Sequence, residues 1–213
     1  LILRCLAGSQ GMPWHLQHTR MGLEPETLKQ ICRIGLPSAA QSALYSISNI
    51  VIQSSINGFG TTAVAAWSVY GKIDFLFWMT VNSFGLSITT FAGQNFGARQ
   101  YDRVRKGAKV CLGMTAIATI SISVILYPLA GTLFRLFSQD SAVVALGIDM
   151  MHFLVPTYIT YISIEIFAGT LRGCGDVKIP TLITVFGVCV LRVLWLIWAV
   201  PLNRQLWMVE ASY

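Results

Sequence analysis

Charge is what this sequence has least of. Only 11% of its 213 residues are Asp, Glu, Lys or Arg, while 54% are hydrophobic, against ~25% charged in an ordinary soluble domain. With a mean hydropathy of +0.64, this composition excludes a freely soluble globule. Other absences narrow the chemistry. No stretch has the pattern of a P-loop, which argues against ATP hydrolysis within this chain. The five cysteines (Cys5, Cys32, Cys111, Cys174, Cys189) are odd in number and form no CxxC, so neither a disulfide framework nor a metal site is expected. The three histidines, His15, His18 and His152, are dispersed, and no nucleophile–base pair stands out. The glycine pairs of GFG (58–60) and GCG (173–175) lack the strand–helix setting of a nucleotide fingerprint and read as turns. There is no signal-peptide pattern and no initiating Met; the chain starts at Leu1 as if cut from something longer.

What is present is a series of long apolar runs. A hydrocarbon core of ~30 Å needs about 20 residues of helix but only about 9–11 of barrel strand. The runs here, of which AVAAWSVYGKIDFLFWMTVNSFGLSITTFAGQNFGA (63–98) is the most telling, are far longer than a strand. The expected architecture is therefore an all-α integral membrane protein with about five spanning helices, over 36–57, 62–91, 108–134, 142–171 and 179–201. The joints are short, so sequential helices are antiparallel neighbours. Before them, residues 1–6 suit the last turn of a preceding helix and 7–23 are polar and irregular. Residues 24–33 suit a short amphipathic surface helix, with Pro25 in its first turn and its acids ahead of its bases.

The net charge of +6 does not point to nucleic acid, because the basic residues sit in the links between apolar runs. Eleven of the fifteen (Arg4, Arg20, Lys29, Arg33, Arg99, Arg103, Arg105, Lys106, Lys109, Arg172, Lys178) fall on one side if the helices alternate, against Arg135 and Arg204 on the other. The positive-inside rule then makes the chain start and the 93–109 link cytoplasmic.

Polar groups inside spans are costly and face protein or water. Gln41, Tyr45, Ser48 and Asn49 form a stripe at helical spacing on the first span; Asp74, Trp78, Asn82, Gly85 and Thr89 do the same on the second. Lys72 is two residues from Asp74, about 200° round the helix, so the two cannot share a face. In the fourth span Pro156 is a kink position, followed by Tyr158, Tyr161 and Glu165 along one side. The fifth holds Arg192 at mid-span. Two readings are open. In one, Asp74 with Arg192 and Glu165 with Lys72 are structural charge partners that fix helix order. In the other, Glu165 and Asp74 are protonatable or sodium-binding carboxylates in a water-accessible cavity, on helices broken as at transport sites.

Gly35-Leu36-Pro37 opening a span, Gly-Gln-Asn-Phe-Gly-Ala at 93–98 after the second, and Leu171-Arg172-Gly173-Cys174-Gly175-Asp176 with Pro180 after the fourth resemble, in order and spacing, the MATE (multidrug and toxic compound extrusion) family. The resemblance covers residues 24 to about 213 and is to the family's second half. It implies the C-terminal lobe of a transporter with two six-helix lobes, lacking its final helix and its N-terminal lobe, with residues 1–34 as the end of a preceding helix and the interlobe linker. It further implies a bacterial plasma-membrane antiporter, not an enzyme, that exports organic, often cationic, drugs in exchange for protons or sodium ions and needs no cofactor. The positions where some members carry cation-binding acids are Tyr45 and Tyr161 here; Glu165 lies one turn beyond Tyr161 and is placed to take that role. Gln41, Asn49, Asp74 and Asn82 would line the substrate cavity, and Tyr45, Trp78, Tyr158 and Tyr161 would offer aromatic faces to a cation. The alternatives are a lipid-linked oligosaccharide flippase of the same superfamily, disfavoured because only Lys72 and Arg192 could hold a pyrophosphate, a membrane-embedded acyl or prenyl transferase, and a non-transporting subunit.

Overall fold

The protein is described here by a computed structural model covering residues 24–202 and 206–212; the expectations for residues 1–23 lie outside the described residues. The chain divides into two compact units, Leu1–Leu36 and Pro37–Tyr213.

The helices in chain order are α1 (Pro25–Asn57), α2 (Thr61–Gly97), α3 (Tyr101–Phe137), α4 (Ser141–Leu154), α5 (Tyr158–Gly173), α6 (Lys178–Ile183), α7 (Leu191–Leu202) and α8 (Leu206–Glu210). A 3-10 turn at Val155–Thr157 joins α4 to α5, and a π-helical stretch at Thr184–Val190 joins α6 to α7. No strand occurs among the described residues. The chain is an all-α integral membrane protein. By length and composition four continuous segments can cross a membrane: Thr61–Gly97, Tyr101–Phe137, Ser141–Gly173 and Lys178–Trp198. The fifth expected span, 36–57, is helical, but its run of Ser, Gln and Asn keeps it less apolar than these four.

Several boundaries differ from expectation for identifiable reasons. Residues 24–33 do not form a separate surface helix: α1 is continuous from Pro25 and passes through Pro37, where the missing N–H leaves the Arg33 carbonyl without its helical donor. Helix α2 does not stop at 91. Polar as it is, the Gly-Gln-Asn-Phe-Gly motif is its last turns. Helix α3 likewise begins at Tyr101, seven residues before the expected start, so Arg103, Arg105, Lys106 and Lys109 are helical. The 3-10 turn contains Pro156, as a proline breaking an i→i−4 ladder requires.

Helix α2 is the centre of the larger unit and packs on α3, α4 and α5. Its inner face (Val69, Tyr70, Ile73, Phe77, Val81) meets Leu126, Ala130 and Phe134 of α3, Val144, Met151 and Leu154 of α4, and Tyr158 and Ile162 of α5. Glycines set how close the helices come. A Cβ on Gly173 would lie 2.4 Å from the Thr89 carbonyl oxygen, and one on Gly169 would lie 2.9 Å from that of Gly85. Thr89 closes this α2–α5 seam by donating from its hydroxyl to the Gly169 carbonyl at 3.0 Å. The outward faces are apolar. Ile117, Ile120, Val124 and Ile125 of α3 and Leu182, Ile183, Phe186, Ile197 and Trp198 of the last span are all exposed, as a hydrocarbon surround demands.

The two motifs at the ends of α2 and α5 meet. A Cβ on Gly93 would lie 3.3 Å from the Gly173 carbonyl oxygen. Gly175 has φ +87°, a left-handed conformation that glycine adopts without penalty. The Asp176 carboxylate then accepts from the N–H groups of Lys178 (3.1 Å) and Ile179 (3.3 Å) and starts α6. Leu-Arg-Gly-Cys-Gly-Asp is thus a helix end, a turn and a helix start in six residues.

Candidate functional site: a buried carboxylate beside an aromatic cavity

Asp74 is only 3% exposed, and at this depth a carboxylate persists only with hydrogen bonds. It has them. Four residues on, one turn along α2, the Trp78 indole N–H donates to Oδ2 at 2.7 Å. From α5, the Tyr158 hydroxyl donates to Oδ1 at 2.6 Å. The Tyr70 and Tyr158 hydroxyls are 3.1 Å apart; since Tyr158 gives its one proton to Asp74, Tyr70 donates to Tyr158. Stacking fixes the rings. Phe77 and Tyr158 lie face to face with centroids 3.8 Å apart and planes 7° apart. Trp78 meets Tyr161 edge-on at 4.6 Å and Tyr45 of α1 at 6.4 Å.

Next to this group is a cavity of about 350 Å³ between α2, α5, the π-helical stretch, α7 and the segment after α8. Its wall includes Trp78, Tyr158, Tyr161, Arg192, Trp195 and Ser212. Arg192 is 5% exposed. Its Nε donates to the Ser212 carbonyl at 2.9 Å, its Nη1 lies 3.4 Å from Asn49 Oδ1, and its guanidinium carbon sits 5.8 Å from the Tyr45 ring centroid. The cavity therefore presents aromatic rings, a buried guanidinium and, one side chain behind them, a buried carboxylate.

The other expected site residues are spread around it. Gln41 accepts from the Thr181 hydroxyl at 3.3 Å, tying α1 to α6. Asn49 is exposed except for its contact with Arg192, and Asn82 is exposed and donates to the Trp78 carbonyl at 2.8 Å. Glu165 is half-buried against α2, where the absence of a side chain on Gly85 makes room for it. Its ion pair is with Arg172, two turns along the same helix at 2.5 Å, rather than with Lys72, whose ammonium lies 5.1 Å from the Phe137 ring centroid. Sequence reasoning placed Arg172 in a link and so missed this pair; the seven-residue spacing, two turns on one face, was the available signal. It also missed the π-helical stretch that precedes Arg192, for which composition offers no cue.

Beyond the last span, Glu210 is 5% exposed. Burial first, and the neighbouring charge of Asp149 second, push its carboxyl up to about 7.

Residues 37–198 match the model of the MatE family. Among curated relatives, the "Probable multidrug resistance protein YoeA" of Bacillus subtilis is 25% identical over 166 residues, covering 78% of this chain and 36% of the relative. The "Probable multidrug resistance protein NorM" of Mannheimia succiniciproducens is 28% identical over 171 residues, covering 76% and 35%. The chain thus spans about a third of the length of these relatives. In three dimensions it is similar to an outward-facing multidrug resistance MATE family transporter of the MOP superfamily, with TM-score 0.78 and 22% identity over 87% of this chain and 41% of that one. A MOP superfamily transporter from Pyrococcus furiosus, described as having a binding pocket of reverse polarity, gives the same TM-score and identity over 87% and 40%.

Proposed function

The chain belongs to the MatE family, and on that premise we propose that it is the C-terminal lobe of an efflux antiporter that exchanges protons or sodium ions for organic cations. The observation that carries this reading is Asp74: an acid at membrane depth, 3% exposed, bonded directly to two aromatic residues that also form the wall of the adjacent cavity. The relatives are named as multidrug resistance proteins, which supports the transport class; substrate and ion are our inference.

The coupling we infer follows from the hydrogen bonds. While Asp74 is ionised it holds the Trp78 indole and the Tyr158 hydroxyl and keeps both rings aligned with Tyr161 and Tyr45, an aromatic surface suited to a cation. A proton or sodium ion reaching Asp74 takes over one of those lone pairs. Trp78 or Tyr158 is then released, the surface is disordered, and the organic cation leaves. Glu165 is the second coupling group in this reading, held in reserve by Arg172, while Gln41, Asn49 and Asn82 supply the polar approach. The sidedness we adopt places the 93–109 link in the cytoplasm of a bacterium, from the positive-charge asymmetry.

The test is export of a fluorescent organic cation from liposomes holding the full-length transporter under an imposed proton or sodium gradient, with and without Asp74→Asn. Gradient-driven export that Asp74→Asn abolishes supports the proposal and identifies the ion. Undiminished export by that variant removes Asp74 from the mechanism. One observation favours a second reading, a flippase for lipid-linked oligosaccharides: the charged side chain in the cavity wall is Arg192, which suits a phosphate. Absence of export under either gradient, with transfer of a pyrophosphate-linked lipid between leaflets, would establish that alternative.

A further inference from the structure

A second cavity, about 540 Å³, opens on the other side of α2, in the groove between α2 and α3. Its floor is apolar: Phe84, Ile88 and Phe91 from α2, Val110 and Met114 from α3. Its shape depends on glycine at 107: any Cβ there would stand 2.2 Å from the Phe91 ring, so a larger residue would force that ring to move. At one end stand Arg103 and Lys106, both exposed.

Three features make this groove specific. First, its charge is of one sign: Arg99, Arg103, Arg105, Lys106 and Lys109 fall within eleven residues that contain one acid, Asp102. Among the described residues neither Arg103 nor Lys106 is in an ion pair. Arg103 spends one donor on the Gln100 side chain at 2.9 Å, and a guanidinium has four more N–H donors. Second, the opening turns of α3 add the positive end of its helix dipole at the same place. Third, the length fits. From Arg103 to Met114 the groove follows eleven residues of α3, ~16 Å at ~1.5 Å per residue, about half of a ~30 Å hydrocarbon core, which is the depth of one leaflet. Val110 and Met114, 60% and 54% exposed, face outward along that path.

We propose that the α2–α3 groove is a binding site for an anionic phospholipid, its phosphate held by Arg103 and Lys106 and one acyl chain laid over Phe91 and Ile88 between Gly107 and Met114. A zwitterionic lipid has the same chains but carries its own cation, which meets the basic rim with repulsion. The site therefore selects by headgroup charge and retains by the groove, a combination that neither feature alone provides. The site is separate from the cavity beside Asp74 and does not depend on what that cavity transports.

The test is native mass spectrometry of the protein in detergent micelles doped with phosphatidylglycerol or phosphatidylcholine of identical chains. Phosphatidylglycerol is retained preferentially by the parent protein. Arg103→Gln with Lys106→Gln weakens that retention roughly thirtyfold, each basic side chain near a membrane surface contributing about fivefold. Val110→Trp, which fills the groove and leaves the charges, lowers retention of both lipids. Arg135→Gln, at the far end of α3, changes nothing. Helix content and unfolding midpoints of all variants report whether they are folded. Equal retention of the two lipids, equal loss in Arg135→Gln, or displacement by the free headgroup glycerophosphoglycerol overturns the proposal. So does photo-crosslinking from a benzophenone at position 110 to polypeptide instead of lipid in the full-length transporter.

Discussion

Replacing Gly173 by alanine is the most stringent test of the packing, because the change is one methyl group and its neighbours are backbone atoms and an alanine Cβ. The added Cβ would stand 2.4 Å from the Thr89 carbonyl oxygen, 2.8 Å from the Ala92 Cβ and 3.1 Å from the Gly93 nitrogen. None of these belongs to a flexible side chain, so α2 and α5 must separate. Overpacking of this kind costs about 1–3 kcal/mol, and separation also stretches the Thr89–Gly169 hydrogen bond, about 0.5–1.5 kcal/mol. Against this, Gly→Ala in a helix gains up to about 1 kcal/mol. The net expectation is a loss of roughly 2 kcal/mol. Gly113→Ala supplies the control: it lies inside α3 with nothing within 4 Å of its added Cβ, so only the propensity gain of up to about 1 kcal/mol applies. At about 2–4 °C per kcal/mol for a chain of this size, the two variants should differ by ~6–12 °C in unfolding midpoint. Circular dichroism of both proteins in the same detergent measures it. A Gly173→Ala midpoint equal to or above that of Gly113→Ala would refute the idea that this seam is set by backbone contact.

Three further outcomes follow from the site. Tyr158→Phe removes the hydroxyl that donates to Asp74 beside the Trp78 indole and breaks the link to Tyr70; a stability loss of about 1–3 kcal/mol is expected, read by denaturation in mixed micelles, whereas Tyr127→Phe, on exposed surface, should be silent. Glu165→Gln weakens the pair with Arg172, whose side chains are 18% and 28% exposed, so the cost should stay below about 1 kcal/mol; a double-mutant cycle with Arg172→Gln giving a coupling well above that would show the pair to be buried. Glu210 makes the docking of α8 pH-dependent. Its folded carboxyl is raised from 4.5 to about 7, so the protonated form is the one the fold favours. Stability is greatest below pH ~4.5 and is lost as pH rises to ~7, by up to roughly 3 kcal/mol. Trp207 fluorescence during unfolding at pH 5 and pH 8 measures this, and Glu210→Gln should flatten the difference; a protein more stable at pH 8 contradicts it.

Helix positions were legible because hydrophobic length and period are properties of single segments. That is why the runs starting at 62, 142 and 179 are found within one residue of Thr61, Ser141 and Lys178. Pro156 was legible as a break because proline removes a specific donor. The ends of α2 and the start of α3 were not, since Gln94, Asn95, Arg103 and Lys106 are polar but good enough helix formers to extend a helix past the membrane. In the site, the faces of Asp74 and Lys72 were separable by helical angle, and Tyr158, Tyr161 and Trp78, singled out by their spacing, lie together in one cavity wall. Their pairing was not readable: Asp74 and Tyr158 are 84 residues apart, and no local rule joins them. The family resemblance identified the family, and it carried no information about which donors the acid would find.

The π-helical stretch at Thr184–Val190 has a consequence for how this segment can vary. A wide turn holds one residue more than an α turn, and one residue is about 100° of rotation. Everything after Val190 is therefore phased as though one residue had been spliced into a regular helix. Excising a single residue within 184–190 would return the segment to ordinary pitch while Arg192 kept its bearing toward Asn49 and Ser212. The same excision at Leu191, in regular helix just before Arg192, would swing the guanidinium out of the cavity. The stretch is the one place in this span where chain length can change without changing the address of the side chains that follow, so aligned relatives that differ by one residue here need not differ in their cavities at all.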